Sequence, residues 1–264
     1  MRRTEGRYGV TLVDVFFDRT CDTSAIGALH ALSPVQIDIT DLRAFGRLAG
    51  GGVVLISPRV TAGVDSIAHV RAVRSAYPHV VIVLCVEWRD VRRSPISRWV
   101  KAGVDEIATV GERGDATELL RIVQRHALAP VPTEEILMLR SRRAPSWELD
   151  AVLFCMRNAH RVIEVPQLAH AFGCSIRTIR NRFCGAGFPS PQQVNTAGRV
   201  LQMVELAGLG IRSPQEVAYR LCFPDPTAMR KTKWRFRNAV MRQTEAPLGN
   251  LVAGFPRLLK FLSL

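Results

Sequence analysis

The sequence predicts an α/β N-terminal domain, a doubly wound parallel five-stranded sheet, followed by an all-α C-terminal domain with two helix-turn-helix units. Three observations carry this expectation. Strand-like and helix-like patterns alternate at short spacing through the first half, the order that puts helices on both faces of a parallel sheet. One of those strands, Val80 to Glu87, is apolar almost throughout, as a strand covered on both faces must be. The second half holds an approximate internal repeat: residues 166–183 read PQLAHAFGCSIRTIRNRF and residues 214–234 read PQEVAYRLCFPDPTAMRKTKW. These patterns divide the chain into residues 1–128, a linker at 129–145, and residues 146–264.

In the first half, residues 9–17 (GVTLVDVFF) are rich in β-branched and aromatic side chains and predict the first strand. Val35 to Ile39 is a short second, Gly52 to Ser57 a third, Val80 to Glu87 the fourth and Glu106 to Val110 a weaker fifth. Helical patterns fall between and after them, at about 22–32, 41–49, 63–76, 90–102 and 114–127. The last places Leu119, Leu120, Ile122, Val123 and Ala127 in one stripe. Gly50-Gly51-Gly52 precedes a strand instead of following one, so it predicts a turn and not a phosphate-cradling loop.

The segment Trp99-Val-Lys-Ala-Gly103-Val-Asp105-Glu-Ile107, with Glu118-Leu119 in the helix after it, resembles the end of a response-regulator receiver domain. The resemblance covers roughly residues 8–127. It implies an acidic pair holding Mg²⁺ after strand one, a phospho-acceptor Asp ending strand three, and a Lys after strand five. This chain departs at each place. Ser57 occupies the acceptor position, Asp18 is the lone acid near the first strand, and Val110-Gly111 stand where the Lys is expected. Serine cannot form the acyl phosphate, and one acid leaves Mg²⁺ few ligands. The expectation is a receiver-like domain without phosphotransfer, serving dimerisation or signal sensing. A small molecule would bind at the carboxyl ends of the strands, near Ser57, Arg59, Glu87, Trp88 and Arg89.

Residues 129–145 hold three prolines and the run Arg140-Ser-Arg142-Arg143, a connector with a short helix around Glu134 to Leu139. Ser146 or Pro145 then precedes a helix over Trp147 to Arg161, with Leu149, Val152, Leu153 and Met156 on one face. A short helix spans Pro166 to Phe172, Gly173 makes the turn, and Ser175 caps a helix to about Cys184. Ile179 and Phe183 lie four apart and point inward. Arg177, Thr178, Arg180 and Asn181 then project outward, a set able to meet guanine through Arg and adenine through Asn.

Ser190-Pro191 opens a long helix to about Leu209 that acts as a rod between the two units. The second unit begins at Ser213-Pro214-Gln215-Glu216, a capping-box-like start. Its basic helix opens at Asp225. By the phase of the first unit, Met229 faces inward and Thr227, Ala228, Arg230 and Lys231 outward; Lys233 and Arg235 complete the basic set. The tail holds an apolar pattern, Leu248, Leu251, Val252, Phe255, Leu258, Leu259, Phe261 and Leu262, that predicts a helix packed on the domain.

An apolar-Ala helix (Leu168-Ala169), a Ser-started basic helix ending in Phe (Ser175 to Phe183), a Ser-Pro-started linker helix (Ser190-Pro191) and a turn at Cys222-Phe223-Pro224-Asp225 resemble the AraC/XylS-type DNA-binding domain over roughly residues 147–240. The resemblance implies two helix-turn-helix units on a long connecting helix, reading duplex DNA in a transcription regulator of bacterial type. Cys222 replaces the Gly of the family's turn. Lys233 replaces an aromatic core residue, with Trp234 or Phe236 available to fill in.

Charge agrees with a nucleic-acid partner. The chain carries a formal net charge of +13, and residues 146–264 hold 16 Lys+Arg against 7 Asp+Glu. A solvated basic face would carry the same excess, and a protein-binding adaptor with a degenerate receiver is the alternative function. Homodimerisation through the N-terminal domain and an RNA polymerase contact are further expected partnerships. No enzyme is expected, because no Ser-His-Asp spacing, phosphate-cradling loop or metal cluster is visible; no metal or cofactor is expected either. The six Cys form no CxxC pair, and several lie within apolar periods that predict buried thiols of a reducing cytosol. Met1-Arg2-Arg3 is followed by polar residues and the longest apolar run is too short to span a bilayer, so a soluble, cytoplasmic protein without membrane contact is expected.

Overall fold

β-Branched runs in the first half pair into a parallel sheet. In the computed structural model, which describes residues 15–18, 35–37, 52–57, 66–87, 96–110, 116–143, 146–242 and 247–262, the strands are β1 (Val15–Asp18), β2 (Val35–Ile37), β3 (Val53–Ile56), β4 (Val81–Glu87) and β5 (Glu106–Val110). Their order is β2-β1-β3-β4-β5, with every ladder parallel. Register pairs Val53 with Val81 and Leu84 with Ile107. β3 is buried along its whole length and so is β4 from Val81 to Val86, which explains their unbroken apolar sequence. Among the described residues, three helices accompany the sheet: α1 (Ser66–Ala76), α2 (Ile96–Ala102) and α3 (Ala116–Leu128). Ile67, Val70 and Val73 of α1 join Ile82, Leu84 and Trp99 in one core. The helices expected at 22–32 and 41–49, and Arg59, Trp88 and Arg89, lie outside the described residues.

A buried polar clamp fastens this core. Arg74 of α1 donates through Nη1 to the carbonyls of Pro78 (2.9 Å) and Val80 (2.6 Å), and through Nη2 to Gly103 O (2.7 Å) and Asp105 Oδ2 (2.5 Å). Asp105 Oδ2 also accepts the Ile82 amide at 2.9 Å. Gly103 sits at φ 118°, and a Cβ there would meet Arg74 Cγ at 2.7 Å. The Gly103-Val-Asp105 motif is thus a structural lock at the amino ends of β4 and β5, away from the carboxyl edge.

The chain divides into two compact units, Met1–Leu128 and Ala129–Leu264. The second is helical: α4 (Thr133–Arg142), α5 (Trp147–Arg157), α6 (Val165–Ala171), α7 (Ile176–Gly185), α8 (Pro191–Gly208), α9 (Pro214–Arg220), α10 (Pro226–Arg242), α11 (Pro247–Val252) and α12 (Pro256–Leu262). The segment expected as a linker is part of this unit. Its short helix is α4, which buries Ile136 and Leu139, and Arg140 pairs with Asp150 of α5 at 3.1 Å. The tail forms two short helices instead of one, broken by Pro256. Leu248, Leu251, Phe255, Leu258 and Leu262 are buried. Arg257 of α12 reaches Glu134 of α4 (3.0 Å) and Glu205 of α8 (2.9 Å), so the tail is tied to both.

Candidate nucleic-acid interface

The two repeats fold to the same local design. Gly173 follows the cap of α6 and Cys222 that of α9, and both residues take the left-handed conformation, at φ 57° and 52°. The amides pair identically. Gly173 N donates to His170 O (3.0 Å) and Cys174 N to Ala169 O (2.9 Å); Cys222 N donates to Tyr219 O (3.1 Å) and Phe223 N to Ala218 O (2.8 Å). A cap then starts each basic helix: Ser175 Oγ accepts the Thr178 amide at 3.0 Å, and Asp225 Oδ1 accepts the Ala228 amide at 2.7 Å. The capping box expected at Ser213 does not form, because Ser213 Oγ bonds Gln215 Oε1 at 3.3 Å instead. A reciprocal box forms at Ser190 and Gln193, opening α8.

On α7, Ile179 (0% exposed) and Phe183 (1%) point into the core, Phe183 against Phe188 at 6.2 Å between centroids. Their phase leaves Arg177, Arg180 and Asn181 exposed along one stripe. Among the described residues none of these three side chains has a hydrogen-bond or ion-pair partner. Arg182, by contrast, lies over the Trp147 ring at 4.8 Å and reaches Glu148 at 3.4 Å. Thr178 is half-occupied by its own cap, its hydroxyl 2.8 Å from Ser175 Oγ.

α10 differs. Phe236 and Val240 are buried, and Met229 and Lys233 lie on the same inward stripe. Thr227, Arg230, Lys231 and Arg235 are exposed, and Ala228 is half-buried. Lys233 was expected to join the outward basic set, and the structure corrects this: its ammonium lies 3.7 Å from the centre of the Phe261 ring. Burial, aided by the neighbouring Arg237, holds that ammonium below the usual lysine range. Phe236 takes the core role that the sequence left open between it and Trp234; Trp234 is 62% exposed.

Two buried polar residues of α8 hold the pairs in place. Asn195 accepts the Ile163 amide at 3.4 Å and donates to Arg161 O (3.2 Å) and Cys155 O (3.4 Å), fixing the entry to α6. Arg199, one turn on, donates to Leu221 O at 2.8 Å and stacks on Phe223 at 3.6 Å, fixing the turn after α9. Sequence reasoning missed both, since a polar residue on the inner face of an amphipathic helix reads as an interruption.

In the first unit, Ser57 follows β3 and is only 7% exposed, a closed position for an acceptor. Of Asp18 only the backbone, ending β1, is described. No helix among the described residues is long and apolar enough to cross a membrane.

No protein-family model matches this chain, and no curated protein matches it. Solved structures do, at low similarity. RcsB from Salmonella enterica serovar Typhimurium, bound to promoter rprA, is 14% identical with a TM-score of 0.33, covering 76% of this chain and 97% of that one. Response regulator StyR is 13% identical (TM-score 0.33; 79% of this chain, 98% of that one). Full-length FixJ from B. japonicum is 14% identical (TM-score 0.33; 79% and 97%). Likenesses at this level leave the case for function to the residues themselves.

Proposed function

We propose that this chain is a sequence-specific DNA-binding transcription regulator of AraC/XylS type. In this reading α6–α7 and α9–α10 are its two helix-turn-helix units, α7 is the main reading helix, and the receiver-like first half dimerises or senses a signal without phosphotransfer. The observation that carries the reading is the exposed, unpaired stripe Arg177, Arg180 and Asn181 on a helix whose other face is locked by Ile179 and Phe183. Arg and Asn are the side chains that make two-pronged contacts with guanine and adenine edges. The matched turns and caps of α9–α10 support a second insertion, mainly gripping phosphates through Arg230, Lys231 and Arg235.

Selection of bound sequences from a random duplex pool, with the full chain at physiological salt, tests this. An enriched motif in two parts about 10 bp apart is expected for two units on one face of B-DNA. Binding without enrichment that vanishes on adding salt would overturn the reading and leave a protein-binding adaptor with a generic basic surface.

A further inference from the structure

The two helix pairs differ at one core position. Counting from the caps Ser175 and Asp225, Phe183 corresponds to Lys233. In the first pair a ring fills this place and is 1% exposed. In the second pair a lysine stands at this place, the buried core ring comes from Phe236 three residues on, and a cavity of about 380 Å³ opens beside Lys233. Met203, Ala207, Ile211, Val217, Met229 and Phe261 give it an apolar wall. Arg212, Arg230 and Lys233 also line it, and no acidic side chain does. None of these three cations has a hydrogen bond or ion pair to an acid among the described residues. The Phe261 ring faces the Lys233 ammonium at 3.7 Å and partly offsets its burial.

A space this size is within the range of small-molecule sites, where an apolar wall with a few convergent polar groups sets orientation. Two of its walls are thioethers, which favour contact with aromatic rings. We propose that this cavity binds a flat apolar carboxylate, its ring in the place that Phe183 fills in the first pair and its carboxylate on Lys233, with Arg212 and Arg230 at the rim. A partly buried ammonium gains more from a carboxylate than from a ring face, because the carboxylate replaces lost hydration with a charge-assisted hydrogen bond. The site lies behind α10, so its occupant would neutralise charge beside Arg230.

Calorimetric titration of the full chain with 2-naphthoate, and with the neutral isostere 2-naphthamide, tests the proposal. No DNA is present, so the outcome is independent of whether the chain reads DNA. The carboxylate is expected to bind at least about ten-fold more tightly than the amide, the scale of one desolvated charge-assisted contact. Ala207→Phe, which fills the cavity, is expected to abolish binding, and Lys233→Met to remove the preference for the carboxylate. Should Lys233→Met fail to fold, the carboxylate–amide pair on the unaltered chain still measures the charge preference. Equal affinity for the two compounds, no binding of either, or naphthoate binding unchanged by Ala207→Phe would each overturn the proposal.

Discussion

Gly173 and Cys222 hold equivalent left-handed positions, at φ 57° and 52°, in the turns of the two helix pairs. Glycine enters this region freely, whereas a residue with a Cβ pays roughly 1–2 kcal/mol there. The Cys222 turn is made nonetheless, because Phe223 behind it is buried and stacked under Arg199. Cys222→Gly is therefore expected to stabilise the helical unit Ala129–Leu264 by about 0.5–1 kcal/mol, and Gly173→Ala to destabilise that same unit by about 1 kcal/mol. Calorimetric melting checks both; opposite signs at the two positions are the expected result.

The stripe on α7 separates base contacts from packing. Arg180→Ala is expected to cost about 1–3 kcal/mol of specific binding and to relax preference at one base pair. Lys231→Ala is expected to weaken binding uniformly across sequences and to lower the salt slope by about 1. Arg182→Ala, which loses the Trp147 and Glu148 contacts, should lower stability while leaving the preferred sequence unchanged. Fluorescence anisotropy with a panel of single-substituted duplexes distinguishes the three.

Glu135 supplies a pH dependence. Its side chain is buried, Oε2 has no hydrogen-bond partner, and burial raises its carboxyl above the usual range. With the folded value above the unfolded one, the folded state binds more protons between the two, so stability falls as pH rises through that window. The penalty is complete above the raised value and absent below the unfolded one. Glu135→Gln should then stabilise the chain by about 1 kcal/mol at neutral pH and by nothing under acid conditions. Melting temperatures of both forms across that range should converge as pH drops.

The Arg74 clamp is a buried ion pair with Asp105, reinforced by the carbonyls of Pro78, Val80 and Gly103, so removing one partner strands the other. Arg74→Met is expected to cost about 3–5 kcal/mol, the usual penalty for breaking such a pair. Gly103→Ala should be nearly as harmful, combining a positive φ with a 2.7 Å clash against Arg74. Guanidinium unfolding followed through Trp99, which packs in this core, measures both.

Much of this was legible in the sequence wherever one local rule governed. Ser146, Ser175 and Ser190 cap the helices they precede because a hydroxyl before an apolar period has few other roles. β4 was plain because six successive buried residues, Val81 to Val86, allow no alternation. What escaped were positions decided by a distant partner. Lys233 carries the same charge as Lys231, and although its helical phase places it on the inner stripe, the ring that receives its ammonium is Phe261, 28 positions on. Arg74 is unremarkable in α1 until Gly103 and Asp105 fold against it. Residues 129–145 look like a connector because prolines and charges dominate, yet Ile136 and Leu139 suffice to anchor α4.

Asn195 and Arg199 leave the same side of one unbroken helix, and this makes α8 a protractor as well as a strut. Each residue of an α-helix advances the direction of its side chain by about 100°. The angle between the two basic helices is therefore set by how many residues separate these two anchors. Adding one residue between them would swing the α9–α10 pair through roughly a quarter-turn relative to α6–α7 without altering either pair. Four positions bring the two anchors back nearly into phase, and the orientation of everything they hold is an arithmetic property of that spacing.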